Sequence, residues 1–129
     1  MKRVLDASAV LAYLLDEPGK DAVLAAILED SVMSTVNFAE VAARYVRGGA
    51  GSDVVADLRA QFPVPLIPFD DDLVEAVALL YPVASKAGLS LADRCCLALA
   101  AKLDRPAMTA DRAWSRIAGE IGVTVELIR

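Results

Sequence analysis

The sequence predicts one α/β domain over residues 1–129, with a parallel β-sheet flanked by α-helices on both faces. Three observations carry that prediction. Short apolar runs alternate with longer segments of helical periodicity along the whole chain. The 129 residues suit one domain of ordinary size, and 57% hydrophobic against 24% charged residues argues against disorder. No internal repeat, low-complexity tract or long linker divides the chain.

The elements follow in order. Val4-Leu5 reads as a short strand ending at Asp6, and residues 8–15 as a helix. Pro18-Gly19 breaks that helix, and a second covers 20–30 with Ala22, Val23, Ala26 and Ile27 on one face. Residues 31–35 form a brief strand, and 36–47 a helix closed by Gly48-Gly49. Residues 52–62 are helical, bounded by Pro63 and Pro65, and 66–69 form a strand. A long helix over 70–86 has an acidic start that suits the macrodipole, with a kink expected at Pro82. Ser90 caps a helix running to 104, and 106–109 is a strand. Asp111 opens a final helix to 120, and 124–128 is the last strand.

Composition removes several chemistries. Histidine is absent, which excludes His-based acid–base catalysis, the Ser-His-Asp triad and His-ligated zinc. A net charge of −5 argues against a simple basic nucleic-acid module, but not against an acidic pocket that metal ions neutralise. Cys95 and Cys96 are adjacent, so on a helix they point about 100° apart, and read as core residues of a reducing compartment. Gly48–Gly51 follows a helix and lacks the third glycine of a dinucleotide fingerprint; Gly19-Lys20 lacks the other residues of a phosphate loop. Met1-Lys2-Arg3 before an apolar run is like a signal peptide, but Asp6 interrupts the run and Ala7-Ser8-Ala9 precedes the longer apolar stretch. No segment has the length of a membrane span, and the expected location is the cytoplasm.

What remains is acidic. Ligands of open α/β sheets bind beyond the carboxyl ends of the strands. Asp6 ends the first strand, Asp111 follows the strand over 106–109, Glu40 sits one turn into its helix, and Asp93 lies in the first turn of its own. Taken singly, Asp6 and Asp111 also stand where helix N-caps belong, and Ser90 with Asp93 has the spacing of a capping box. Glu40 shares a stripe with Val36, Ala43 and Arg47, so a carboxylate is expected on a largely apolar face, a solvated glutamate being the alternative. Carboxylates gathered in one cleft repel by about 1–4 kcal/mol per close pair. A hard divalent ion resolves that conflict, and Mg²⁺ or Mn²⁺ fits an all-oxygen site best.

These segments resemble the motifs of PIN domains. Val4-Leu5-Asp6-Ala7-Ser8 is similar to the opening of that family, Asn37-Phe38-Ala39-Glu40-Val41 to its second acidic motif, Leu89-Ser90-Leu91-Ala92-Asp93 to its third, and Thr109-Ala110-Asp111-Arg112 to its fourth. The four occur in register across essentially the whole chain, and the length resembles the VapC-type toxins of bacterial toxin–antitoxin pairs. The resemblance implies an endoribonuclease that hydrolyses RNA with Mg²⁺ or Mn²⁺ and a metal-activated water. Asp6, Glu40, Asp93 and Asp111 would form the catalytic and metal-binding set, supported by the polar groups of Ser8, Asn37 and Thr109. It also implies a cognate antitoxin that blocks the acidic pocket, and a homodimer.

An acidic protein that binds RNA needs cations near the pocket. Arg44, Arg47, Arg94, Arg112 and Arg116 lie within two helical turns of an acid and are candidates for phosphate contacts, with ordinary surface charge as the alternative. Trp114 can stack on a base, though its spacing with Ile117 and Ala118 favours core packing. The helices over 20–30, 36–47 and 52–62 can supply a groove for a partner helix. The rival readings are a non-catalytic PIN-like module and a receiver-like signalling module. The receiver needs a lysine near its last switch loop, where Arg112 stands, and a Mg²⁺-dependent phosphatase needs a second Asp where Ser8 stands.

Overall fold

Val4 and Leu5, adjacent in β1 (Val4–Leu5), point to opposite faces of the sheet, and each enters a different core. The same division holds for Val32 and Met33, and for Ala107 and Met108. A sheet buried on both faces requires apolar residues at successive strand positions, which explains why the strands read as continuous apolar runs. The computed structural model describes residues 2–129.

The other strands are β2 (Met33–Ser34), β3 (Leu66–Ile67), β4 (Ala107–Thr109) and β5 (Val125–Leu127). Every ladder is parallel: β1 with β4, β4 with β5, and β2 with β3. A parallel bridge between Val4 and Val32 joins the two ladders, with Leu5 N–H donating to Val32 O at 2.9 Å and Val32 N–H to Arg3 O at 3.0 Å. The spatial order is therefore β3-β2-β1-β4-β5, with β1 in the middle.

Parallel neighbours require crossover connections, and helices supply them on both faces. On one side α1 (Ala7–Leu14), α2 (Lys20–Leu28), α3 (Thr35–Arg47) and α4 (Ser52–Ala60) cover Leu5, Met33 and Met108. On the other, α5 (Asp71–Leu79), α6 (Tyr81–Lys86), α7 (Leu91–Leu103), a 3₁₀ turn (Arg112–Arg116) and α8 (Ala118–Ile121) cover Val4, Val32 and Ala107. In α7 the residues from Cys95 to Ala100 are all buried, small side chains letting the helix pack tightly among its neighbours. Both cysteines are free and buried, and Trp114 is fully buried in the core, as their spacing predicts. Among the described residues no helix is long and apolar enough to cross a membrane.

Two helix predictions need correction. The helix expected over 70–86 is two, α5 and α6, which meet at Leu80. Pro82 does not kink a continuous helix: it lies in the first turn of α6, where its missing N–H costs nothing. The helix expected over 111–120 begins instead as the 3₁₀ turn, with Ile117 N–H donating to Trp114 O at 3.2 Å, and only Ala118–Ile121 is α-helical. The tighter winding accompanies the burial of Trp114 so soon after β4.

At the turn before α2, Gly19 has φ +97°, and a Cβ there would lie 2.6 Å from the Ile128 carbonyl oxygen. Gly19→Ala is therefore expected to cost about 1–3 kcal/mol of stability, measured by urea unfolding; an unchanged midpoint contradicts this close approach.

Candidate active site

Asp6 is the first residue beyond β1, and its carboxylate caps α1 by accepting the Ala9 N–H at 2.9 Å. Two hydroxyls complete its surroundings. Ser8 Oγ stands 2.8 and 2.9 Å from the two carboxylate oxygens, and Thr109 Oγ1 donates to Oδ2 at 2.7 Å. The same hydroxyls accept backbone donors, Ser8 Oγ from Ala110 N–H at 2.9 Å and Thr109 Oγ1 from Asp111 N–H at 3.0 Å. Segments following β1 and β4 are thereby stitched together, and Asp111 is held by the group that holds Asp6.

Burial pushes the Asp6 pKa from its ordinary 3.8 to about 6, opposed by the Ala9 N–H and the Thr109 and Ser8 hydroxyls and reinforced by the charge of Asp93. Glu40 is largely exposed, yet partial desolvation, followed by the nearby charge of Asp93, raises its pKa as well; the Asn37 amide works the other way.

All four predicted acids line one cavity of about 390 Å³ at the carboxyl edge of the sheet: Asp6, Glu40, Asp93 and Asp111, with Ala7, Ser8, Leu11, Ala43, Arg44 and Arg47. The capping and cavity roles coincide. Asp93 Oδ2 accepts the Ser90 N–H at 2.8 Å in a reciprocal capping box, and Asp111 Oδ1 accepts the Ala113 N–H at 2.9 Å. Each cap occupies one carboxylate oxygen and leaves the other. Among the described residues no three acids converge tightly enough to form a ready-made metal cage. Like-charge repulsion favours that spread in a cluster without a cation.

The expected apolar stripe around Glu40 is not a buried face. The buried side of α3 is Asn37, Phe38, Val41 and Ala42, whereas Ala43 and Arg47 are exposed and line the cavity beside Glu40. Of the supporting groups, Ser8 and Thr109 hold Asp6. Asn37 is buried, donates to the Ala92 carbonyl at 3.1 Å and favours the charged form of Glu40.

The arginines separate. Arg44 and Arg47 line the cavity, while Arg112 and Arg116 are exposed and do not. Arg94 turns away: Nη1 donates to the Val77 carbonyl at 3.0 Å, and its guanidinium lies 5.2 Å from the Tyr81 ring centre. Leu11 and Ala43, absent from the sequence-based site, form part of the wall; their spacing of one helical turn from Ala7 and Glu40 was the available signal.

The donor set fits a hard divalent cation. Four carboxylates bring only oxygen, two carry raised pKa values, and among the described residues no ion pair neutralises any of them. Asp6, Glu40, Asp93 and Asp111 are the residues that would hold it.

A parallel five-stranded sheet with an acidic cavity beyond its carboxyl edge defines an α/β domain built around four carboxylates. The chain belongs to the PIN domain family, which its residues 3–120 match. That match decides against the receiver-like alternative. Among solved structures it is similar to FitAcB from Neisseria gonorrhoeae, with 23% identity, a TM-score of 0.73, and 97% of this chain and 96% of that chain covered. A toxin–antitoxin complex from Klebsiella pneumoniae aligns with 16% identity, a TM-score of 0.72 and coverage of 99% and 98%. DNA-bound VapBC from Salmonella typhimurium aligns with 12% identity, a TM-score of 0.73 and coverage of 100% and 99%. At these identities the likeness establishes the fold. A comparison with curated proteins finds no match.

Because the folded state holds the Asp6 proton more tightly than the unfolded chain, metal-free stability should fall as pH rises from about 4 through about 6. The Asp6 contribution is on the order of 3 kcal/mol, and Glu40 acts in the same direction. Chemical unfolding with a chelator present should show most of this loss disappearing in Asp6→Asn. An identical pH dependence in wild type and variant contradicts the burial of a strained carboxylate.

Proposed function

We propose that this chain is a divalent-metal-dependent endoribonuclease, the toxin of a VapC-type toxin–antitoxin pair. The observation that carries the proposal is the opening of Asp6, Glu40, Asp93 and Asp111, from four separate segments of a PIN-family chain, onto one cavity. The chain contains no histidine to handle protons or metal in their place.

Mg²⁺ or Mn²⁺ would be held by the four carboxylates. The chemistry such an ion supplies when bound is charge neutralisation, acidification of water and stabilisation of charge building on the phosphate. The protein supplies position. Ser8 and Thr109 keep the Asp6 carboxylate aimed from the end of β1. Arg44 and Arg47, one and two turns beyond Glu40 on α3, bind phosphates flanking the cleaved bond. A water oxygen bonds to phosphorus, the P–O3′ bond breaks, and the departing oxygen takes a proton. The products carry a 5′-phosphate and a 3′-hydroxyl.

The partner reading rests on shape as well as family. Arg44 lines both the acidic cavity and a neighbouring pocket with Leu15, Tyr45, Gly48 and Ala50; Tyr45 in turn lines an apolar groove with Leu14, Val54, Leu58 and Phe62. A helical antitoxin segment seated in that groove is placed to send a basic side chain toward the acids. The groove is built by α1, α3 and α4, with α1 in the place where the sequence offers the helix over 20–30 as a candidate. A homodimer and a cytoplasmic location belong to the same reading; exposed Leu79, Tyr81 and Leu91 offer an apolar face for self-association.

One observation favours a non-catalytic binding module instead, namely that Asp6, Asp93 and Asp111 each already accept a backbone N–H at a helix start. The same experiment separates the two. An asparagine amide oxygen can accept the Ser90 N–H as the Asp93 carboxylate does, so Asp93→Asn should change stability by less than about 1 kcal/mol. It should lower RNA cleavage by roughly 100-fold or more and reduce the rise in melting temperature that Mn²⁺ gives the wild type. Undiminished cleavage by a folded Asp93→Asn, or RNA ends carrying 2′,3′-cyclic phosphate, would contradict the mechanism. A wild type that neither cleaves RNA nor responds to Mn²⁺ leaves the binding module.

A further inference from the structure

Asn37 is fully buried, and its amide is only half used. Nδ2 donates to the Ala92 carbonyl at 3.1 Å, while Oδ1 has no hydrogen-bond partner. A partly satisfied buried amide is worse for stability than an apolar side chain of the same size. Leucine would fill the space without leaving an orphan, so stability alone does not explain the asparagine.

Its location suggests what does. Asn37 lies one turn before Glu40 on α3, and Ala92 immediately precedes Asp93 in the first turn of α7. The hydrogen bond thus ties the two helices at the cavity wall where each presents a carboxylate. Those carboxylates oppose the tie, because two like charges line the same cavity.

We propose that Asn37 is a positioning residue that holds the first turn of α7, and with it Asp93, at a set separation from Glu40 against the repulsion of the two carboxylates. This deepens the metal-site reading, on which its binding consequence rests. Asn37 acts through the α7 backbone besides its contact with Glu40, and leaves the metal to the carboxylates. The chain tolerates an unpartnered Oδ1 in exchange for a donor that spans two helices.

The test is a double-mutant cycle between Asn37→Leu and Asp93→Asn, read as metal-free unfolding at pH 7.5. Without the Asp93 charge the tie has less to resist, while the contact of Asn37 with Glu40 is untouched. Asn37→Leu should therefore shift the unfolding midpoint less in the Asp93→Asn protein than in the wild type. An ordinary core hydrogen bond gives equal shifts in both backgrounds, and equal shifts overturn the proposal. Mn²⁺ titration of the Asn37→Leu protein should give a dissociation constant weakened by about 10–100-fold. Unchanged Mn²⁺ affinity in a folded variant also overturns it. Should Asn37→Leu not fold, Asn37→Ser, whose hydroxyl is too short to span the same gap, takes its place with the same expected outcomes. A wild type that binds no Mn²⁺ refutes the nuclease reading, and the coupling between Asn37 and Asp93 alone then decides this inference.

Discussion

Placing an ionisable carboxylate at the buried end of the central strand constrains nearly everything around it. Asp6 is 4% exposed, so its charge must be met by donors or by a cation. The chain supplies a backbone N–H from α1 and hydroxyls from Ser8 and Thr109, drawing together the segments beyond β1 and β4. These donors offset burial only in part, since the pKa remains raised to about 6. The unmet balance faces a cavity shared with three further acids. Structure and proposed chemistry meet in that imbalance: an open coordination demand is useful only where the fold does not satisfy it.

The acids also show that capping and ligation are compatible uses of one side chain. A carboxylate has two oxygens, and a helix N-cap needs one. Asp93 and Asp111 each commit one oxygen to a backbone N–H, which fixes their rotamers at the mouth of the cavity. Helix N-termini add a partial positive charge that moderates the repulsion of clustered acids. Glu40 is different. It sits within a helix and reaches the cavity by its length, so its placement relative to Asp93 depends on how α3 and α7 pack, the junction at which Asn37 lies.

The fold was largely legible in the sequence because its determinants are local. Parallel strands buried on both faces leave continuous apolar runs, and Val4-Leu5 and Ala107–Thr109 stand out for that reason. Elements were misread where a tertiary demand overrode local preference. The break at Leu80 and the 3₁₀ turn at Trp114 are matters of backbone winding, which residue periodicity does not encode. The arginines illustrate the same limit. Arg94 follows Asp93 directly, but adjacent helical positions diverge, and its side chain packs against Val77 and Tyr81 away from the cavity.

By itself the sequence determined the fold class, the absence of histidine chemistry, and the order of four acids near strand ends, because pattern and residue type are properties of the chain. Only the tertiary structure decided that those acids share one cavity, that two arginines of the five face it, and that Asn37 spans two helices. Those are distances between residues far apart in sequence, set by how the layers pack around β1, and no local pattern records them.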